Sequence, residues 1–251
     1  MGIKERKQHK LVGKLFIALL YLLIWQGMSM AVGSALLLPS PGAAIARLAS
    51  FLAQWETYRT VGLTMARIMG GYLLGVTAGA LLGALTARFP FANALLSPLR
   101  GVVKATPVTS FILLALLWLS SSMVPLFISF LMVLPIVWAN TLEAVLNTDQ
   151  QLLEMSVMFR FGWRKTLTRI YLPSVLPGLL AACTTALGFA WKSGVAAEII
   201  ALPKASIGYR LYEAKLSIET VDLLAWTLLV VLLSMALEKA LVSLLGRIRH
   251  D

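Results

Sequence analysis

Residues 66–89 read ARIMGGYLLGVTAGALLGALTARF. No charge interrupts the twenty residues from 68 to 87, between Arg67 and Arg88. A helix needs about 20 apolar residues to cross the hydrocarbon core of a bilayer, so this run predicts a membrane span. Within it Gly71, Gly75, Gly79 and Gly83 recur every fourth position. That period places all four on one helix face and leaves a smooth stripe where another helix can approach closely. The approaching helix can belong to the same chain or to a second copy. Packing within the chain is the simpler reading.

The rest of the chain follows the same pattern. Of its 251 residues 59% are apolar and 13% are charged, whereas a soluble domain carries roughly 25% charge. Charges are also absent between Lys14 and Arg47, Lys104 and Glu143, Arg169 and Lys192, and Asp222 and Glu238. The gap after Lys104 is too long for one span, and Ser120-Ser121-Ser122-Met123-Val124-Pro125 divides it at a turn. Six spans result, over about 15–35, 60–87, 105–120, 124–142, 174–191 and 221–238. The expected fold is therefore an all-α polytopic membrane protein, with residues 1–251 as a single transmembrane domain. A basic start before an apolar run also marks a cleavable signal peptide, but the run here exceeds a signal core and is kept as a span.

The formal charge of +11 fits membrane topology better than nucleic acid. With the N-terminus inside, fifteen basic residues face the cytoplasm, among them Lys4, Arg6, Lys7, Lys10 and Lys14. Six fall outside, and Arg67 sits near a membrane face. Both termini are thus expected in the cytoplasm. After the first span, Ile45, Leu48, Leu52 and Trp55 have the spacing of an amphipathic helix on the outer face.

Catalytic chemistry is missing. His9 and His250 are both near the termini, no metal-ligand cluster occurs, and Gly101-Val102-Val103-Lys104-Ala105-Thr106 lacks the second glycine and the Gly-Lys pair of a phosphate loop. Cys183 has no partner and reads as a small packing residue. No cofactor is expected, and the chain is not expected to be an enzyme.

The polar segment between the fourth and fifth spans carries the functional signal. Residues 154–173 read EMSVMFRFGWRKTLTRIYLP. Asp149 can cap a short helix over about 150–159, Gly162 offers a bend, and a second helix starts at Trp163. Trp163, Leu167 and Ile170 share one face of it, away from Arg164, Lys165 and Thr168. Pro173 is expected to end this helix, and Pro177 to open the next span.

This segment resembles the EAA loop of ABC-importer permeases, in which E-A-A is followed by three residues, G, nine residues, I, one residue and L-P. Glu154, Ile170, Leu172 and Pro173 match in type and spacing, while Met155, Ser156 and Arg160 depart. Arg160 replaces the glycine that makes the family's turn, so the turn falls either to Arg160 or to Gly162. Further strings are similar to the nitrate/sulfonate/taurine branch. They are LPSP at 38–41, TMARIMGGYLLG at 64–75, AWKSGVAAEII at 190–200 and IGYRLYEAK at 207–215. The usual glycine-rich turn between the third and fourth spans is three serines here.

The resemblance implies a type I ABC-importer permease fold. It implies that the hairpin at about 149–173 is a coupling helix that docks on an ATPase, with Glu154, Arg160, Gly162, Arg164, Leu167, Ile170, Leu172 and Pro173 in it. It implies two ATPase subunits, an extracytoplasmic solute-binding protein and a second copy of the chain as partners. The solutes of this branch are small anions, and some similar permeases carry thiamine precursors. An ion-coupled secondary transporter or a membrane scaffold is the alternative reading. For the path itself the candidates are Trp191, Lys192 and Glu198. The two charges either line its outer end, or lie at the outer interface paired with each other or with Lys204 and hold the loop after the fifth span.

Overall fold

The computed structural model describes the backbone of residues 3–248 and the side chains of residues 16–246. The side chains of the basic N-terminal cluster (Lys4, Arg6, Lys7, Lys10 and Lys14), with those of His9 and His250, lie outside the described residues. In chain order the helices are α1 (Ile3–Val32), α2 (Pro41–Leu52), α3 (Trp55–Arg88), α4 (Pro90–Ala105), α5 (Val108–Ala115) and α6 (Val124–Leu146). They continue as α7 (Gln150–Met158), α8 (Trp163–Thr166), a π-helical turn (Leu167–Tyr171), α9 (Leu172–Ala201), α10 (Ile207–Leu216) and α11 (Thr220–Ile248). The fold is all-α, as expected.

Four helices among the described residues are long and apolar enough to cross a membrane: Trp55–Arg88, Val124–Leu146, Trp163–Ala201 and Thr220–Gly246. They contain the second, fourth, fifth and sixth expected spans. The first expected span falls in α1, whose apolar described part is Phe16–Val32. The third, 105–120, is not one helix. Pro107 cannot donate a backbone N–H and drives the preceding residue out of the α region; Thr106 is extended at ψ 131°. The chain therefore breaks between α4 and the eight-residue α5.

Two expected helix ends move outward. Pro173 does not stop the helix that begins at Trp163. The turn just before it widens to π geometry, with the Leu172 N–H donating to the Leu167 carbonyl. Such a bulge lets a helix run through a residue that breaks the regular ladder. The Ser174 hydroxyl donates to the Ile170 carbonyl at 2.7 Å and satisfies an acceptor there. The same helix continues past Trp191 to Ala201, where Leu202 adopts a left-handed conformation at φ 52°. At the other end of the chain, Glu238 and Lys239 lie inside α11 and do not terminate it. Both are good helix formers.

The chain divides into two compact units. The first comprises Met1–Tyr58 and Arg210–Val231, the second Arg59–Tyr209 and Leu232–Asp251. In the first unit, Ser40 caps α2 by accepting from the Ala43 N–H at 3.2 Å, ahead of Pro41 at the first helical position. The buried face of α2 is Pro41, Ala44, Leu48 and Phe51. Of the expected stripe Ile45, Leu48, Leu52 and Trp55, only Leu48 is buried. The reason is a partner on α11. Phe51 stacks on Trp226 with ring centroids 4.9 Å apart, and Arg47 makes a bidentate pair with Asp222 at 2.6 and 2.7 Å.

In the second unit α6 packs against both α3 and α9. A Cβ at Gly71 would collide with the Leu126 carbonyl. At Gly75 it would stand 2.7 Å from Val133 Cβ, at Gly79 2.8 Å from the Leu134 carbonyl oxygen, and at Gly83 2.5 Å from Thr141 Cβ. The glycine stripe is thus the seat of α6 within the same chain. On the other side, a Cβ at Gly194 of α9 would lie 2.6 Å from Ile68 Cγ1 and 2.7 Å from Ser129 Oγ. Buried hydroxyls tie the three helices: Ser129 donates to the Ala190 carbonyl at 3.2 Å, and Tyr72 donates to the Cys183 carbonyl at 3.1 Å.

Candidate functional site

The hairpin between α6 and α9 is built from local rules. Asp149 accepts from the Gln151 N–H at 2.8 Å and caps α7. At the other end the Arg160 N–H donates to the Val157 carbonyl at 3.0 Å, and the Phe161 N–H to the Ser156 carbonyl at 2.8 Å. These two bonds define a Schellman motif, whose C′ residue is left-handed and usually glycine. Here that residue is Arg160, at φ 49°. Gly162 is extended, at φ −67° and ψ 157°, and serves as the N-cap of α8. The turn is therefore made at Arg160, the position of the family's glycine, and not at Gly162.

What the hairpin displays is apolar. Met158 is 83% exposed, Val157 76%, Trp163 72% and Phe159 70%. Glu154, Arg164, Leu167 and Leu172 are also exposed. Ile170 is buried while Trp163 and Leu167 are exposed, so the three do not present one common outward face. Cations sit on the aromatic rings. Lys165 Nζ stands 4.0 Å from the Phe161 centroid, and the Arg164 guanidinium 5.5 Å from that of Trp163. A contiguous apolar surface of this kind, rimmed by charge, marks an interaction site.

The three path candidates do not come together. Trp191 and Glu198 lie seven residues apart on one face of α9, and both are buried, at 2% and 0% exposure. Lys192 is turned away by roughly 100° and is exposed. Glu198 pairs with neither Lys192 nor Lys204. Its carboxylate meets Arg67 Nη1 at 3.5 Å, accepts from the Thr64 hydroxyl at 3.0 Å and accepts from the Gly208 N–H at 3.1 Å. A buried carboxylate needs a cation and several donors, and α3 with the start of α10 supplies both.

This cluster also shapes the loop after α9. Arg67 donates to the carbonyls of Lys204 at 3.3 Å and Ala205 at 3.5 Å. Leu202 and Ala205 are both left-handed, at φ 52° and 50°. Thr64 Oγ1 accepts from the Ile207 N–H at 3.0 Å while it donates to Glu198. At Gly208 any Cβ would collide with that of Glu198. Sequence reasoning missed Thr64, Arg67 and Gly208 as partners. The signal was present: Arg67 is a cation at a span end, and Glu198 is the one deep acid it could neutralise.

Residues 71–248 match the family described as the binding-protein-dependent transport system inner membrane component. An aliphatic sulfonates transport permease protein of Bacillus subtilis is 25% identical over 213 residues, covering 84% of this chain and 76% of the relative. An ABC transporter permease protein of Methanocaldococcus jannaschii is 24% identical over 238 residues, 92% of this chain and 89% of the relative. A bicarbonate transport system permease protein of Synechocystis is 26% identical over 161 residues, 64% of this chain and 56% of the relative. The family match covers most of the chain, and the long apolar helices agree with it: the chain belongs to the family of inner-membrane permease components of binding-protein-dependent ABC transporters.

Proposed function

We propose that two copies of this chain form the solute path of an ATP-driven importer, fed by an extracytoplasmic solute-binding protein. Two ABC ATPase subunits dock on the hairpins at 149–173. ATP-driven closure of the ATPases moves the hairpins together, the path opens outward, and hydrolysis resets it. The chain acts as one transmembrane domain, with both termini and the hairpin in the cytoplasm. The solute is small and polar, and the named sulfonate and bicarbonate relatives support an anionic group on it.

The observation that carries this reading is the exposed apolar tip of the hairpin, Val157, Met158, Phe159 and Trp163. Water penalises such a patch by about 25 cal/mol per Å² of apolar surface, and a docking groove relieves that penalty. Substituting Met158→Asp with Phe159→Asp tests it. Both side chains are exposed, so the helices should stay folded. Co-purification of the ATPase should be lost and ATP-dependent uptake in vesicles abolished. A doubly substituted chain that still binds the ATPase and drives uptake would show that the hairpin is not the docking element.

A further inference from the structure

A cavity of about 250 Å³ opens between α9 and the second half of α11. Its wall includes Thr184, Thr185, Gly188 and Trp191 from α9 and Ser234 and Glu238 from α11. Of the motif strings only AWKSGVAAEII reaches it, through Trp191, and neither Lys192 nor Glu198 lines it.

Two features make the cavity specific. The first is position. From Asp222 at the head of α11, sixteen residues at 1.5 Å each put Glu238 about 24 Å along the helix, toward the far face of a hydrocarbon core about 30 Å thick. Glu238 is exposed on α11, and a carboxylate there faces a cavity, a partner or the interface. Glu238 makes no ion pair among the described residues. Lys239, its sequence neighbour, lies about 100° around the helix and lines with Glu238 an adjoining cavity of about 420 Å³, but makes no ion pair with it.

The second feature is a lining made mostly of acceptors, beside a Ser234 hydroxyl that can also donate. The hydroxyl of Thr184 donates to the Leu180 carbonyl at 3.1 Å, and that of Thr185 to the Ala181 carbonyl at 3.2 Å. With their protons committed to the helix, both threonines turn only lone pairs outward. The carboxylate of Glu238 likewise only accepts when ionised. The indole of Trp191 gives a flat, electron-rich surface that favours a cation. Gly188 keeps the space open, since a Cβ there would meet nothing within 4 Å.

We propose that the Thr184–Thr185–Trp191–Ser234–Glu238 cavity is a solute subsite for a positively charged, hydrogen-bond-donating group. The imported solute then carries a protonated nitrogen, alone or beside the anionic group. This rests on the reading of the chain as an importer permease and sharpens its substrate class.

The test uses the full chain with its ATPase in lipid nanodiscs. A fluorescent hydrophobic carbodiimide is the reporter: the protonated carboxyl adds across its C=N bond, and the adduct rearranges to a stable N-acylurea. Guanidinium, urea and nitrate are the probes, three planar molecules of similar size that are cationic, neutral and anionic. Labelling mapped to Glu238 should disappear in Glu238→Gln. It should slow about tenfold when guanidinium is raised to roughly ten times its half-protecting concentration, and stay unchanged with urea and nitrate. Thr184→Val, which keeps the shape and the carboxylate, should label normally but need about fivefold more guanidinium for protection.

Protection by nitrate, equal effects of the three probes, or no labelling at Glu238 would each overturn the proposal. Co-purification of the ATPase in the same nanodiscs separates the two claims. An assembled, ATP-hydrolysing complex without guanidinium protection removes the cavity assignment alone. Failure to assemble removes the permease reading, and labelling still reports on the cavity.

Discussion

Arg160 shows how a single residue can occupy a position written for another. A left-handed conformation costs a residue with a Cβ about 1–2 kcal/mol, and glycine almost nothing. Arg160 adopts it because the Schellman bonds at 2.8 and 3.0 Å and the following cap at Gly162 close the hairpin only through that conformation. Arg160→Gly should therefore stabilise the turn by about 1 kcal/mol, since it removes the strain and leaves both bonds in place. Hydrogen exchange at the Arg160 and Phe161 amides would measure it: about fivefold slower exchange is expected, and faster exchange would mean that the arginine side chain holds the turn. The fully buried Glu198 is the opposite case, a residue whose identity is enforced from all sides by Arg67, Thr64 and Gly208.

Among the elements, α3 and α6 depend on contact at glycine. With Cβ positions at 2.7 and 2.8 Å from α6 at Gly75 and Gly79, no larger side chain fits without moving a helix. Gly79→Leu should separate the pair, and overpacking of this kind costs roughly 1–3 kcal/mol or more where backbone is in the way. The purified chain should then lose its monodisperse elution peak in detergent. Gly101→Leu is the control, since nothing lies within 4 Å of that position and the peak should be retained. Equal behaviour of the two variants would mean that the α3–α6 seam is not needed for the fold. The same pair of helices shows what periodicity can convey. The four-residue repeat announced a close approach but could not say which helix made it.

For the whole molecule the decisive quantity is charge asymmetry. Fifteen basic residues on one side against six on the other predict the orientation, because positively charged segments resist translocation. The natural Cys183 is buried, so cysteines placed singly at Lys165 and Lys204, both exposed, can report on the two sides. An impermeant thiol reagent added to intact spheroplasts should label the cysteine at 204 and spare that at 165. Labelling at 165 would invert the orientation and put the hairpin out of reach of a cytoplasmic ATPase.

The sequence by itself determined the all-α membrane class, four of the spans, the capped hairpin and the family. Each of these rests on short-range chemistry: hydrophobic run length, an Asp before a helix, the spacing of Glu154, Ile170, Leu172 and Pro173. What only the tertiary structure decided involves residues far apart in the chain. The buried face of α2 was set by Trp226, the partner of Glu198 by Arg67, and the cavity at Glu238 by the approach of α9. Continuation of the helices through Pro173 and past Glu238 belongs to the same group. A local rule gives proline and charge a tendency to end a helix. Packing along a whole span outweighs that tendency, because in a bilayer an unpaired backbone group has no water to turn to.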